Sequence, residues 1–403
     1  MFVLELVVFP TILIFAMHRL QISLNRTRRT SDIRIAPGIR RDVGELISQS
    51  SSFSPRRVLV LSNKRVFRLY GRDVTQGLRR AGLQIFEFLM PDGERFKSFR
   101  LLERATVFLG DNRFERNDLV IALGGGVVGD LAGFSAAVYL RGIPFIQMPT
   151  TLLAQIDSSV GGKTGINLPV GKNLVGAFYQ PPLVVIDTET LSSLPKRELV
   201  SGFCEMVKQS LVASKSLFKS TVKALQQTLS DPRSTQTAEF EALIAANCEF
   251  KASIVANDER EATNRSDAKS RRVLNFGHTT AHALEAITNY QVFRHGEAVG
   301  YGMLVAGEIS RNMGLLSQTE LESLREAVRL CGRLPNAENL DVDRIIRSLQ
   351  HDKKSVAGQL NWVLLDGIGS PRIVSGSQIS ARVLRLSLRT GLQSFGRRKD
   401  KSH

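Results

Sequence analysis

The first half of the sequence alternates short apolar runs with helical patterns, and this alternation constrains the fold more than any other feature. The apolar runs are typical of strands, because each ends in turn-forming residues; they are "RRVLVLSNKRV" (56–66), "QIFEFLM" (84–90), "DLVIALGGG" (118–126), "PFIQMPTTL" (144–152) and "LVVIDTETL" (183–191). Helical patterns lie between the early runs, in "YGRDVTQGLRRAGL" (70–83) and "FRLLERATVFLGDN" (99–112). Strands that alternate with helices predict a parallel sheet.

The pattern changes after "SLPKREL" (193–199). From there to about residue 390 the periodicity is mostly helical, apart from "LNWVLLDGIG" (360–369). A chain of 403 residues is long enough for two domains with separate cores. We therefore predict an α/β protein in which a Rossmann-like parallel-sheet domain (20–198) precedes an all-helical domain (199–390), with an apolar extension (1–19) and a basic tail (391–403).

The apolar segment "MFVLELVVFPTILIFAM" (1–17) has three interpretations. It lacks a basic n-region and a clear A-x-A cleavage site, so it makes a poor signal peptide. It is short for a membrane-spanning helix and contains a Glu and a Pro. We favour a translation start at Met17, with a membrane anchor as the alternative.

The composition is that of an ordinary globular enzyme, with 43% hydrophobic and 23% charged residues. Cys204, Cys248 and Cys331 have neither paired nor metal-type spacing, which indicates buried thiols in a reducing, cytoplasmic compartment. The net charge of +16 comes from scattered arginines without interleaved aromatic residues. We therefore expect an anionic small-molecule substrate and no nucleic-acid partner.

Three of the six histidines lie within residues 278–295. His278 and His282 are four residues apart and share one helical face, whereas His295 follows a short break. Two imidazoles from separate segments and one carboxylate make a catalytic zinc set with an open position. The candidate carboxylate is Glu205 in "SGFCEMVKQ" (201–209), where Lys208 shares its face. The alternative is that these histidines only cap or fill helices.

Two glycine-rich stretches are candidates for binding anions. In "LGGGVVGDLAGF" (123–134) a strand meets a glycine turn and a helix, which would let a pyrophosphate approach the backbone. The order is not G-x-G-x-x-G, so a merely tight turn is the alternative. In "PTTLLAQIDSSVGGKTGINLPVGKNLVGAFYQP" (149–181), Lys163 and Lys172 each follow a glycine and suit phosphate or carboxylate oxygens.

A charged stretch precedes the histidines. It begins with "FKASIVANDERE" (250–261), continues through the polar insertion "ATNRSDAKS" (262–270), and ends with Arg271 and Asn275. Dense charges usually form a solvated face, and we interpret the insertion in that way. Lys251, Arg271 and Asn275 are close to the histidines in sequence, so we interpret them as functional.

The ordered motifs together resemble the 3-dehydroquinate synthase family over about residues 20–390. The resemblance is carried by "PDGERFKS", "GGGVVGD", "PTTLLAQIDSSVGGKTGINLPVGKN", "GFCEMVK", "DERE", "LNFGHTTAHALE", "HGEAVGYGM" and "HDKK". It implies a Rossmann-like domain followed by a helical domain, with NAD and a zinc or cobalt ion as cofactors. The family is commonly dimeric, which implies a homodimer, although no sequence feature marks an interface.

The resemblance also implies residue roles. The metal ligands would be Glu205, His278 and His295, with His282 serving the substrate or proton transfer. The dinucleotide would lie along Asp92, Gly93, Glu94, Lys97, Gly126, Val127, Val128, Gly129, Asp130, Thr150, Thr151, Lys163, Lys172, Thr190, Leu191, Ser192 and Ser193. The remaining residues of the catalytic and substrate-binding set would be Asp157, Arg141, Asn173, Lys208, Lys251, Glu261, Arg271, Asn275 and Lys353 or Lys354.

The implied reaction converts 3-deoxy-D-arabino-heptulosonate 7-phosphate to 3-dehydroquinate and phosphate, in the shikimate pathway of aromatic amino-acid and chorismate biosynthesis. Transient oxidation at C5 acidifies the C6 proton, phosphate is eliminated, the ketone is reduced again, and an intramolecular aldol reaction closes the ring. NAD is regenerated in each turnover.

Two departures from the family pattern concern the edges of the site. Asn63 and Arg65 stand where the family usually has an acidic residue and an asparagine for the adenosine ribose, which would weaken NAD binding or tolerate a 2′-phosphate. The gap between Glu261 and Arg271 is several residues longer than in the family, which puts the geometry of that loop in question.

Three other functions compete. A sugar-phosphate cyclase acting on sedoheptulose 7-phosphate or glucose 6-phosphate would tend to alter the residues around the carboxylate, yet His282, Lys251, Arg271 and Asn275 are all present. A polyol dehydrogenase would have no use for "GGKTGINLPVGKN". A non-catalytic scaffold would not need every proposed ligand and lysine.

Overall fold

The computed structural model describes residues 17–23, 30–50, 53–262, 265–355 and 360–393. It divides into two compact units, the first comprising Met1–Leu194 with Thr235–Ala256 and the second Pro195–Ser234 with Asn257–His403. Most of the predicted apolar extension and of the basic tail lies outside the described residues. Among the residues that are described, no helix combines the length and the hydropathy needed to cross a bilayer.

The first unit contains a seven-stranded sheet, whose strands lie side by side in the order β1-β2-β9-β6-β5-β3-β4. Its strands are β1 (His18–Ser23), β2 (Thr30–Ala36), β3 (Arg57–Asn63), β4 (Gln84–Met90), β5 (Leu119–Gly124), β6 (Phe145–Pro149) and β9 (Leu183–Asp187). Only the β1–β2 pair is antiparallel; every other pairing in this sheet is parallel. The predicted Rossmann-like parallel sheet is therefore confirmed.

The central strands are apolar throughout because both of their faces are covered. Leu59 and Leu61 of β3 pack into a core cluster with Val120 of β5, whereas Val58 and Val60 point to a second cluster on the other face. The helices that supply the covering layers are α1 (Val43–Ser48), α2 (Lys64–Val66), α3 (Arg72–Arg80), α4 (Phe99–Asp111) and α5 (Gly126–Val138).

Parallel pairing aligns the carboxyl ends of the central strands. Ser62 of β3 lies beside Leu123 of β5, and Leu123 lies beside Met148 of β6. The segments that leave these strands, namely the turn at 124–126 and the Thr150–Thr151 pair, therefore emerge at one edge of the sheet. This is the edge at which open α/β sheets bind ligands.

Two antiparallel pairs in the first unit had no counterpart in the sequence patterns. One is β1 with β2, where β1 begins at His18 and so starts within the predicted extension. The other is the hairpin of β7 (Lys163–Leu168) and β8 (Gly171–Phe178), in a stretch that we expected to be loop. Its glycines and half-exposed residues give no clear alternation, which explains the missed prediction.

The second unit is mainly helical. Its helices are α6 (Lys196–Ala213), α7 (Lys215–Ser230), α9 (His278–Ile287), α10 (His295–Asn312), α11 (Gln318–Leu330), α12 (Val342–Ser355) and α13 (Ala381–Gln393), while most of α8 (Ala238–Asn257) belongs to the first unit. Its described residues include one short hairpin, β10 (Asn361–Leu365) with β11 (Pro371–Ser375), at the stretch that the sequence set apart from the helical pattern. Helix α10 is buried from Gly296 to Ser310 and packs against α6, α9, α11 and α13.

Candidate active site

Three helices of the second unit bring Glu205, His278 and His295 together. Glu205 is fully buried in the middle of α6, whereas His278 begins α9 and His295 begins α10. Glu205 Oε1 lies 3.9 Å from His278 Nε2 and 3.6 Å from His295 Nε2. One potential ligand atom from each residue lies within 4.8 Å of the other two, a spacing that suits a single divalent cation.

Two glycine contacts allow these helices to approach so closely. A Cβ at Gly296 would lie 1.9 Å from the carbonyl oxygen of Ser201, so only glycine lets the first turn of α10 meet α6 one turn before Glu205. A Cβ at Gly302 would likewise lie 1.9 Å from the carbonyl oxygen of Gly277, the residue before α9. Glycine backbones thus place the two histidines beside the carboxylate.

The Nδ1 atom of each histidine has a partner of its own. His278 Nδ1 lies 3.3 Å from the carbonyl oxygen of Phe276, and His295 Nδ1 lies 3.4 Å from Glu285 Oε2. A neutral imidazole that donates from Nδ1 carries its lone pair on Nε2. These contacts therefore favour the tautomer in which both Nε2 atoms can bind a metal.

The Glu205 carboxylate fits a bound cation. Both of its oxygens are buried, and neither accepts a hydrogen bond from the described residues. Lys208 Nζ forms an ion pair with Oε2 at 2.7 Å, but its direction does not meet hydrogen-bond geometry. Buried carboxylate oxygens without such partners are costly unless a charge compensates them. One carboxylate and two imidazoles are a donor set that zinc accepts.

The electrostatics keep His278 neutral. Burial, and then the positive charge of Lys208, lower the pKa of His278 well below its ordinary value of 6.5. The His282 ring lies edge-on to that of His278, with centroids 5.6 Å apart, and roughly parallel to that of His295 at 6.2 Å. His282 is therefore next to the cluster, although it supplies no atom to the group of candidate ligands found among the described residues.

Further predicted residues of the second unit lie at the segment before α9. Asn275 Nδ2 donates a hydrogen bond to Glu261 Oε1 at 3.0 Å. The buried Arg271 donates from Nη1 to the carbonyl oxygen of Glu259 at 2.7 Å. Lys353 lies in α12. The structure thus brings Glu261, Arg271 and Asn275 into one hydrogen-bonded segment.

In the first unit, the predicted nucleotide residues surround the turn after β5. Helix α5 begins at Gly126, and the Thr150 N–H donates to the carbonyl oxygen of Gly124 at 3.0 Å. Lys97 is buried and pairs with Asp130 Oδ2 at 2.5 Å. Burial raises the pKa of the Asp130 carboxyl, while Lys97 opposes this effect. A free helix N-terminus beside a buried cation can bind a phosphate group.

Other predicted residues of the first unit are more dispersed. Lys251 of α8 donates to Asp157 Oδ1 at 2.5 Å and to the carbonyl oxygen of Asp157 at 2.7 Å. Thr190, Leu191, Ser192 and Ser193 form the 3-10 turn after β9. Arg141 has a left-handed backbone with φ of 66°. Lys163 and Lys172 lie towards opposite ends of the β7–β8 hairpin, so the structure does not bring them together.

Asn167 is a residue that the sequence did not single out. Its Nδ2 donates to Glu94 Oε1 at 2.7 Å, and its Oδ1 accepts from the Asn173 N–H at 3.0 Å. The Asn167 N–H also donates to the carbonyl oxygen of Lys97 at 2.8 Å. Asn167 therefore links three predicted site residues. Only the pairing of the hairpin reveals this, because no local spacing connects residues 94, 97 and 167.

Comparison with known proteins places the chain in one family. The family model for the 3-dehydroquinate synthase N-terminal region matches residues 87–201, and that for the C-terminal region matches residues 202–355. The 3-dehydroquinate synthase of Rippkaea orientalis is 38% identical over 357 residues, which cover 88% of this chain and 94% of the relative. That of Pelotomaculum thermopropionicum is 41% identical over 361 residues, which cover 88% and 93%.

Solved structures agree on the fold. A 2-epi-5-epi-valiolone synthase from Streptomyces hygroscopicus, with NAD⁺ and Zn²⁺ bound, has a TM-score of 0.79 at 24% identity and covers 90% of this chain and 97% of its own. A 2-deoxy-scyllo-inosose synthase with NAD⁺ and Co²⁺ also has a TM-score of 0.79 at 24% identity, with 93% and 100% covered. The chain therefore shares the fold of these two synthases.

The sequence comparisons decide the family. Both family models match, and the relatives are well above 30% identity over nearly their whole length. The chain belongs to the 3-dehydroquinate synthase family.

Proposed function

We propose that this chain converts 3-deoxy-D-arabino-heptulosonate 7-phosphate to 3-dehydroquinate and phosphate. The observation that carries the proposal is the cluster of Glu205, His278 and His295, in a chain that matches both regions of the family. A carbon–oxygen lyase of this kind needs an acidified C6 proton and a phosphate leaving group. It therefore needs a metal site together with groups that bind anions.

The proposed cofactors are NAD and one divalent ion, zinc or cobalt. Glu205, His278 and His295 would hold the ion, and the turn at 124–126, with Lys97 and Asp130, would hold the dinucleotide. When bound, these groups supply the transient oxidation at C5 and the polarisation of the C5 oxygen. Two observations on the described residues support this: none of them donates a hydrogen bond to the buried Glu205 carboxylate, and none of their side chains caps the start of α5.

In the second unit, His282 is the proposed proton-transfer group, because its ring is adjacent to both candidate histidine ligands. Lys208 forms an ion pair with Glu205 and is proposed to stabilise negative charge that develops on the substrate. Arg271 and Asn275 are proposed to bind the substrate carboxylate. Glu261 is proposed as a further substrate contact, and its hydrogen bond also orients Asn275. Lys353 is proposed as a further anion-binding group.

In the first unit, Asp157 and Lys251 act as a pair. The Lys251 ammonium is fixed by two contacts with Asp157 and so presents its charge in one place. Asn173 and Arg141 complete the proposed substrate contacts of this unit. The remaining proposed dinucleotide contacts are Asp92, Gly93, Glu94, Val127, Val128, Gly129, Thr150, Thr151, Lys163, Lys172 and residues 190–193.

The proposal also covers the compartment, the oligomeric state and the pathway of the enzyme. We infer a cytoplasmic, homodimeric enzyme of the shikimate pathway with no nucleic-acid partner. We also retain the predicted domain bounds, 20–198 for the nucleotide domain and 199–390 for the metal and substrate domain. Three buried free thiols are compatible with a reducing compartment.

The test is phosphate release by the purified full chain with NAD⁺ and Zn²⁺. The heptulosonate phosphate and sedoheptulose 7-phosphate are offered in separate reactions, and the products are identified by mass spectrometry. We expect phosphate and 3-dehydroquinate from the first substrate only. Release from the second substrate alone would reassign the chain to the cyclases that act on sugar phosphates without a carboxylate.

A further inference from the structure

The two ends of the polar insertion 262–270 are tied to one carboxylate, that of Asp258. Asp258 Oδ1 accepts a hydrogen bond from the Ala262 N–H at 2.8 Å, and Oδ2 accepts one from the Arg271 N–H at 2.9 Å. The Ser270 hydroxyl adds a longer hydrogen bond to Oδ2 at 3.4 Å. The chain thus leaves this side chain at residue 262 and returns to it at residue 271.

Asp258 is well suited to hold both ends of the loop. Its side chain is buried, with 6% of the residue exposed. Burial opposes its ionisation, but the N–H groups of Ala262 and Arg271 lower the pKa of the carboxyl below its ordinary value. Hydrogen bonds to a charged acceptor are stronger than those between neutral groups. The Asp258 carboxylate therefore holds both ends of the loop.

Three of the proposed substrate contacts lie at or beside these two loop ends. Glu261 directly precedes Ala262, while Arg271 opens the 3-10 turn that ends at Asn275. Glu261 has a φ of 54°, a left-handed conformation that is uncommon for a residue with a side chain. A movement of either loop end would therefore change the Glu261–Asn275 hydrogen bond and the position of the Arg271 guanidinium.

The insertion has its own internal contacts. Arg265 pairs with Asp267 at 2.6 Å, and the Lys269 N–H donates to Asp267 Oδ1 at 2.8 Å. Arg265 also donates to the carbonyl oxygen of Asn257 at 2.6 Å. One hydrogen bond joins the insertion to the 3-10 turn, from Arg272 Nη1 to the carbonyl oxygen of Arg265 at 3.4 Å. The contacts of Arg265, Asp267 and Lys269 named here do not involve the side chains of Glu261 or Asn275.

We propose that Asp258 is a positioning residue that holds the substrate contacts Glu261, Arg271 and Asn275 in place at the two ends of the insertion. The inference rests on the proposed function, because it takes these three groups to bind the heptulosonate phosphate. It explains how a loop longer than the family pattern can begin and end beside the site without displacing it.

The first test is Asp258→Asn in the full chain. An asparagine amide presents one carbonyl oxygen and one NH₂ group, so it can accept from Ala262 or from Arg271 but not from both through separate oxygens. We expect kcat/KM for the heptulosonate phosphate to fall about 10- to 100-fold, mainly through KM, because the contact geometry is lost. Bound zinc should be unchanged, because no metal ligand is altered.

The matched control is Asp267→Asn. Asp267 lies in the same loop and also accepts a backbone N–H, that of Lys269, but it is exposed and does not join the two loop ends. Its substitution should leave kcat/KM within about twofold. Equal losses in both variants, or a loss in neither, would overturn the proposal.

Amide hydrogen exchange separates this inference from the proposed function. The Ala262 and Arg271 amides should exchange at least about 10-fold faster in Asp258→Asn than in the wild type, whether or not the chain turns over the heptulosonate phosphate. Faster exchange with unchanged KM and kcat would show a purely structural role and contradict positioning. Unchanged exchange would contradict the role of Asp258 in holding the loop ends. An inactive wild type with the expected exchange would contradict only the proposed function.

A second variant keeps the test decisive if Asp258→Asn does not fold. Removing residues 264–268 shortens the loop but retains Asp258, Ala262 and Arg271. If the carboxylate holds the substrate contacts in place, this deletion should leave KM and kcat within about twofold of the wild type. A large rise in KM would show that the insertion itself shapes the site.

Discussion

Gly296 lies so close to Ser201 that a Cβ at Gly296 would come within 1.9 Å of the Ser201 carbonyl oxygen. The Gly296 N–H also donates to Ser201 Oγ at 3.0 Å. His295 precedes Gly296, and Glu205 follows Ser201 by one helical turn. The approach of two backbones therefore sets the distance between a proposed imidazole ligand and a proposed carboxylate ligand.

Gly296→Ala should weaken metal binding and destabilise the second unit. The added methyl group forces α10 away from α6, which separates His295 from Glu205 and costs about 1–3 kcal/mol in free energy of unfolding. Zinc affinity and thermal unfolding of the purified protein measure the two effects. Gly110→Ala is the control, because among the described residues nothing beyond the backbone of its own helix and its two chain neighbours lies within 4 Å of a Cβ at that position. A normal zinc affinity in Gly296→Ala would contradict this account of the site.

His278→Ala should abolish both metal binding and activity while leaving the fold largely intact. The loss of zinc affinity should exceed the roughly 10- to 100-fold loss that typically follows removal of a residue that hydrogen-bonds to a metal ligand. Metal analysis, phosphate release and circular dichroism check the three parts. His282→Ala is the matched control, since it should keep the metal but slow turnover. A His278→Ala protein with full zinc content would remove His278 from the ligand set.

Cys248 should be almost inert to thiol reagents in the native protein. Burial raises the pKa of its thiol to about 12, because a thiolate is poorly solvated in the core. Since only the thiolate reacts, about one molecule in 10⁴ is reactive at pH 8, and the rate should rise about tenfold per pH unit. Ellman's reagent should detect all three thiols only after unfolding. Rapid native modification of Cys248, located by peptide mapping, would contradict its burial.

Lys97→Met should weaken dinucleotide binding and destabilise the first unit. Lys97 is buried, pairs with Asp130 and donates to Asn173, so its removal leaves the half-buried Asp130 carboxylate without its cation. We expect at least a 10-fold rise in the NAD⁺ dissociation constant and a loss of about 3 kcal/mol in stability. Calorimetry and denaturant unfolding measure these quantities. Lys163→Met is the comparison, because the exposed Lys163 should cost little stability. Equal stability losses would argue against a special role for the Lys97 pair.

Much of the fold followed from local patterns. The runs at 56–66, 84–90, 118–126, 144–152 and 183–191 each contain a strand of the parallel sheet, and the helical patterns at 70–83 and 99–112 contain α3 and α4. These elements are strongly apolar or strongly amphipathic, so their periodicity is visible in the sequence. The β7–β8 hairpin was missed because glycines and exposed residues leave no such period.

The candidate site was only partly predictable. The residue types of a metal set were evident from Glu205 and the histidine cluster, and the motifs supplied the choice of His278 and His295 over His282. That choice remains a prediction about metal binding, although the structure brings the three proposed ligands together. The hydrogen bonds of Asn167 and the two hydrogen bonds of the Asp258 carboxylate could not be predicted, since each depends on contacts that the sequence pattern does not reveal.

The sequence by itself determined the alternation of strands and helices, the family and the supply of imidazole, carboxylate and ammonium groups. Only the tertiary structure decided which of these groups meet, because the distance between residues such as Glu205 and His295 depends on how two helices pack. That packing depends in turn on a glycine at position 296, whose effect is visible only where the Ser201 backbone lies against it. Local preference acts over a few neighbouring residues, whereas site geometry is set by contacts across tens of residues or more.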